Sequence, residues 1–149
     1  MRIYLFLALM LLFIFSGLTF SQSKGFGLGA ILGEPTGISA KYWVSQSNAF
    51  DFGLAYSFSE NSNLHLHSNY LFHINNFNQT KENISFYYGP GVRLKFDNGS
   101  ELGVRFSVGI LWIPRETPVD IFIEAAPILD IIPETDFSFN GGVGVRYFF

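Results

Sequence analysis

The stretch Glu101-Leu102-Gly103-Val104-Arg105-Phe106-Ser107-Val108-Gly109-Ile110-Leu111-Trp112 decides the fold. It reads with a period of two. Leu102, Val104, Phe106, Val108, Ile110 and Trp112 fall on one side, and Glu101, Gly103, Arg105, Ser107 and Gly109 on the other. An extended chain points successive side chains to opposite faces, whereas a helix sends residues i and i+2 to different sides. The stretch is therefore a strand with one bulky apolar face and one small or charged face.

The same alternation recurs on both sides of it. Ile38, Ala40, Tyr42 and Val44 oppose Ser39, Lys41, Trp43 and Ser45. Phe50, Phe52, Leu54, Tyr56 and Phe58 oppose Asp51, Gly53, Ala55, Ser57 and Ser59. Leu64, Leu66, Tyr70, Phe72 and Ile74 oppose His65, His67, Asn69 and His73. Phe137, Phe139, Val143, Val145, Tyr147 and Phe149 oppose Ser138, Asn140, Gly142, Gly144 and Arg146. Clusters rich in Gly, Pro, Asn, Asp and Ser separate the segments, as turns demand. They stand at Gly33–Gly37, Gln46–Asn48, Glu60–Asn63, Asn75–Asn83, Asp97–Ser100, Pro114–Pro118 and Pro133–Asp136. Seven turns leave eight strands. Pro90 and Pro127 fall inside the fifth and seventh; each removes a ladder donor, so each is read as a bulge.

Which face looks outward sets the class. A soluble barrel would turn its second face to water, and that face would be dense in Lys and Glu. Here it carries Gly, Ser and Ala with isolated charges, which suits the narrow interior of eight strands. The bulky apolar face is present strand after strand, as lipid contact requires. Closure also removes the sheet edges that lipid cannot tolerate. The expected fold is all-β: an eight-stranded antiparallel up-and-down transmembrane β-barrel over residues 22–149. Aromatics concentrate at the end nearest the termini, with Tyr42, Phe72, Trp112, Tyr147 and Phe149 among them, like an interfacial belt. The longest connection, Asn75 to Asn83, lies on that side, and the opposite connections are expected to be about five residues each.

Composition excludes several classes. Of 149 residues, 48% are hydrophobic, 18% aromatic and 14% charged, which rules out disorder. Nine basic against twelve acidic residues, a net charge of -3, leave no stripe to track nucleic acid. Without cysteine there is no disulfide framework or thiolate metal site. Residues 1–21 carry Arg2, then the apolar run Ile3–Phe15, then small residues at Thr19 and Ser21. That is the pattern of a cleaved secretory signal peptide, shorter than a spanning helix.

The end of the chain, Gly144-Val145-Arg146-Tyr147-Phe148-Phe149, resembles the C-terminal signal of bacterial outer-membrane barrels. Gly144, Tyr147 and Phe149 stand at its marked positions, while Gly142 replaces the polar residue usual two places before the glycine. The resemblance implies recognition by the barrel-assembly machinery during insertion. More broadly the chain looks like small eight-stranded outer-membrane barrels of the OmpA/OmpX type. Gly33–Gly37, Tyr87–Gly91 and Phe122–Pro127 are similar to a bacterial family of small barrels that brings no activity with it. The resemblance implies the outer membrane of a Gram-negative cell, with its lipids as surroundings.

Three sets of residues bear on chemistry. Lys41, Arg93, Arg105 and Arg146 share the inward face with Asp51, Glu101, Asp120 and Glu124. Charges in a narrow lumen must pair, so an interlocked plug is expected rather than an ion path. His65, His67 and His73 share one strand face, but residues i and i+2 lie roughly 7 Å apart and no cysteine assists, so no metal is expected. His67-Ser68 invites comparison with eight-stranded lipid A deacylases, which place His and Ser two apart on one face. Here they are adjacent, so a histidine base cannot reach that hydroxyl. No cofactor and no catalysis are expected. A monomeric barrel with a structural or surface-interaction role leads. A narrow channel, a lipid A-modifying enzyme and a soluble lipocalin-like binder are the alternatives.

Overall fold

The computed structural model describes residues 25–57, 63–75 and 82–149. The expected signal peptide at 1–21, Phe58 and the middle of the Asn75–Asn83 connection lie outside the described residues. Eight strands follow in chain order: β1 Gly25–Glu34, β2 Thr36–Trp43, β3 Asn48–Ser57, β4 Asn63–Ile74, β5 Asn83–Phe96, β6 Ser100–Ile113, β7 Val119–Ile132 and β8 Asp136–Phe148. Each pairs antiparallel with the next, and β1 pairs with β8 to close the ring.

Closure fixes a stagger. The row of paired residues that leaves β8 at Tyr147 runs through Leu28, Ala40, Phe52, Ser68, Val92, Val104 and Leu129. It returns to β8 at Phe137, ten residues earlier. Residues distant in sequence thereby meet across the interior.

The wall is inside out relative to a soluble protein. Phe52, Leu54, Val104, Phe106, Ile123 and Val145 stand among many large apolar side chains on the exposed outside. Lys41, Asp51, Arg105, Asp120 and Arg146 are buried inside. Neighbours in one strand show the switch: Phe106 is 45% exposed and Arg105 4%. The two tryptophans divide likewise. Trp112 is outside near the termini, where its Nε1 donates to Glu82 Oε2 at 3.2 Å, and Trp43 is inside.

Both prolines are held without a bulge, contrary to the sequence reading. Pro90 pairs with Phe106 in a β5–β6 register that is unbroken from Asn83↔Ile113 to Phe96↔Ser100. On its other edge the pairing stops at Asn69↔Gly91 and resumes at Phe72↔Tyr88 in the same register. Pro127 pairs with Phe139 without interruption, and its β6 edge stops at Arg105↔Ile128 and resumes at Val108↔Ala125. A missing N–H removes one rung on one edge, and the flanking rungs hold the alignment. Among the described residues the register shift lies elsewhere, in the β6–β7 pairing between Leu102 and Gly103.

The connections opposite the termini are also shorter than about five residues where they are described. Pro35 alone joins β1 to β2, and three residues each join β5 to β6 and β7 to β8.

Candidate functional site

The interior of the barrel is the candidate site, because its polar and charged side chains converge there. Each strand supplies alternate residues to it, and inward glycines make space for rings from the adjacent strand. A Cβ on Gly53 would collide with the His67 imidazole, one on Gly109 with Tyr87, and one on Gly144 with Phe122.

The half nearest the termini is tightly filled. Trp43, Ala49, Leu71, Tyr87, Leu111 and Phe122 form a buried apolar cluster, backed by Ile31, Ile113 and Phe148. Arg146 reaches into this half from β8. Its Nε donates to Asp120 Oδ1 at 3.0 Å, and its Nη1 donates to Asp51 Oδ2 at 2.8 Å and to Ser39 Oγ at 3.3 Å. Its guanidinium carbon lies 4.0 Å from the centre of the Phe122 ring. Asn69 Nδ2 donates to the other Asp51 oxygen at 3.1 Å.

Lys41 is fully buried beside this cluster, and its Nζ stands 4.5 Å from the Trp43 ring centre and 5.2 Å from that of Tyr87. The ammonium donates to His73 Nε2 at 2.7 Å, and His73 Nδ1 donates to the Ser47 carbonyl at 3.1 Å. Since Nδ1 faces a carbonyl, the proton belongs there, and Nε2 is free to accept from the lysine. Aromatic faces supply much of the environment that the cation would otherwise take from water.

The opposite half is built from separate pairs. Arg105 Nη2 donates to Glu124 Oε1 at 2.8 Å and to Ser107 Oγ at 3.3 Å, while Tyr87 OH donates to Glu124 Oε2 at 3.0 Å. Arg93 pairs with Asp130, both buried. His65 contacts Asn63. His67 Nε2 stands 3.7 Å from Asp51 Oδ1, beyond hydrogen-bond reach.

Of the eight charged residues singled out from sequence, seven meet in the buried interior: Lys41, Asp51, Arg93, Arg105, Asp120, Glu124 and Arg146. Glu101 does not join them. It pairs with Lys95 at 3.1 Å near the open end, with both side chains partly exposed. Asp130 takes the eighth place. Sequence reasoning missed it, although its even number matches the inward parity of Asp120 and Glu124 on β7. Four basic side chains thus face four carboxyl groups in the buried interior. The sequence reading also missed the apolar block, because it took the inward face as small, polar or charged.

The three histidines are divided between different partners. Among the described residues no group of three or more His, Asp or Glu side chains is arranged to hold a metal ion. The His67 side chain is buried, and Ser68, the next residue along β4, projects to the opposite face of the strand. Gly144 lies beneath the Phe122 ring, while Tyr147 and Phe149 stand together outside, with ring centres 5.2 Å apart.

No family model matches this chain, and no curated protein matches it. The fold is similar to the crystal structure of Neisserial surface protein A (NspA). The TM-score is 0.55 and the identity 13%, over 83% of this chain and 93% of that one. At such identity the likeness is one of fold: a small closed eight-stranded barrel.

Proposed function

We propose that this chain is an integral outer-membrane barrel with a plugged lumen, acting as a structural or surface-interaction protein rather than an enzyme. The observation that carries the reading is the inverted wall, with large apolar side chains exposed around the outside and paired charges buried within. An outside of this kind is stable in lipid and a liability in water. The name of the similar barrel, a surface protein, supports the same location. On this reading export uses the signal peptide at 1–21, the assembly machinery reads Gly144, Tyr147 and Phe149, and lipids are the surrounding partners.

The apolar cluster of Trp43, Leu71, Tyr87, Leu111 and Phe122 across the terminus-side half supports a closed barrel over a conducting one. Cell fractionation tests location. The protein should partition with outer membranes, need detergent for release and migrate differently in gels before and after boiling. Recovery as a soluble monomer after osmotic shock would overturn the reading in favour of a lipocalin-like binder. Planar-bilayer recording tests the plug: the purified barrel should pass no steady current, and stable unitary conductance would sink that part of the proposal.

A further inference from the structure

The geometry points to a site for one internal water molecule in the lumen, held by Arg105, His67 and Asn140. The proposal goes beyond the membrane reading and is independent of what surrounds the barrel.

A small cavity lies between these three side chains, the carboxylate residues Glu34 and Glu124, and Ile31, Pro35, Gly141 and Gly142. Arg105 is 4% exposed and Asn140 7%, and the His67 side chain is similarly buried. Arg105, Asn140 and His67 line this space, and Arg105 Nε and Nη1, Asn140 Nδ2 and His67 Nδ1 have no protein hydrogen-bond partner. Leaving a buried polar group unpaired costs on the order of 1–3 kcal/mol, and more for a charged group. Several such groups around one space call for a shared partner.

The chemistry of the lining selects that partner. Arginine and amide nitrogens only donate, so the occupant must accept. His67 Nδ1 donates or accepts according to tautomer, and Glu124 only accepts, so the occupant gains by also donating. Water does both, typically through two to four hydrogen bonds. An anion would satisfy the donors but would stand against the carboxylate residues Glu34 and Glu124. Size decides the same way. The cavity measures about 10 Å³, at the lower limit for one water and too small for a larger occupant. Placed there, the water joins β4, β6 and β8, so it ties together walls that share no backbone pairing.

Side-chain NMR of the folded barrel in detergent micelles, with labelled arginine, tests the site on the native chain. Arg105 Nε–H should show a direct nuclear Overhauser contact to a long-lived water. Arg146 Nε–H, which donates to Asp120, should show none. Asn140→Leu fills the space with an apolar side chain and should abolish the Arg105 contact while leaving the Arg146 signal in place. Absence of the contact in the native barrel overturns the proposal, and that arm needs no variant to fold. Persistence of the contact in folded Asn140→Leu overturns the location. A chloride-dependent shift of the Arg105 signal at constant ionic strength would show an anion in the site and overturn the choice of water.

Discussion

Arg146 and Arg105 occupy two regions of one lumen, and the regions are built differently. Arg146 bonds to two carboxylates from different strands, Asp51 and Asp120, while its flat face lies on Phe122. Apolar side chains fill the space around it. Arg105 bonds to one carboxylate, Glu124, and keeps two nitrogens, Nε and Nη1, without a protein acceptor, where Arg146 keeps one, Nη2. The difference teaches that a plug of charges is not uniform. One part is closed by packing and multiple bonds, and the other by single pairs with room for solvent. Substitutions should therefore differ in effect according to the region they touch.

The largest loss should follow Arg146→Met. It keeps apolar bulk over Phe122 but leaves Asp51 and Asp120 buried without their cation. Breaking a buried pair costs about 3–5 kcal/mol, and this change breaks two ion pairs at once. Urea unfolding in lipid vesicles, followed by tryptophan fluorescence, should show the midpoint fall steeply. An unchanged midpoint would remove the distinction between the regions.

Next comes the wall that encloses both regions. Phe106 faces outward on β6, opposite Pro90 of β5 and one residue from inward Arg105. Arg on the lipid face near the midplane costs about 2–4 kcal/mol. Phe106→Arg should lower insertion into vesicles, read by the fraction of protein whose gel mobility changes on boiling.

Arg105→Ala should do less than Arg146→Met, about 3 kcal/mol, the lower end of the cost of breaking one buried pair, and should leave insertion intact. Only Glu124 loses its cation, and Tyr87 still donates to it. A loss equal to that of Arg146→Met would show that both regions are equally rigid. Were the outside of the barrel a soluble protein's core, Arg105 would sit on a hydrated surface and its removal would change stability by less than about 0.5 kcal/mol.

Glu101→Gln should have the smallest effect. The Lys95–Glu101 pair is partly exposed at the open end, and such pairs contribute about 0–1 kcal/mol. Unfolding at low and high salt should scarcely separate this variant from the parent. A loss approaching that of Arg105→Ala would place Glu101 in the buried network after all.

Residues legible in the sequence and residues that were not differ in a definite way. The inward position of Arg105 and the outward position of Phe106 follow from alternation within one strand. That Glu101 leaves the network and Asp130 enters it depends on where each strand ends. Both have inward parity, but Glu101 is one residue from the start of β6, whereas Asp130 pairs with Gly103, two residues further in, and meets Arg93. The prolines gave a false signal. A lost donor is a local fact, but a bulge is a change of alignment between strands, and the neighbouring rungs of β5–β6 and β7–β8 prevented it.

The sequence by itself determined eight strands, their turns, and which side chains share a face, because the pleat of an extended chain is a property of each residue and its immediate neighbours. Only the tertiary structure decided which charges meet. Arg146 reaches Asp51 across 95 positions of sequence because closure of the ring, with its ten-residue stagger, brings the last strand beside the first and its arginine across to β3. The same closure gathers Trp43, Leu71, Tyr87, Leu111 and Phe122 from five strands into one apolar block. Alternation assigns a side chain to the interior, but its height and its neighbours there are set by the register of every pair in the ring.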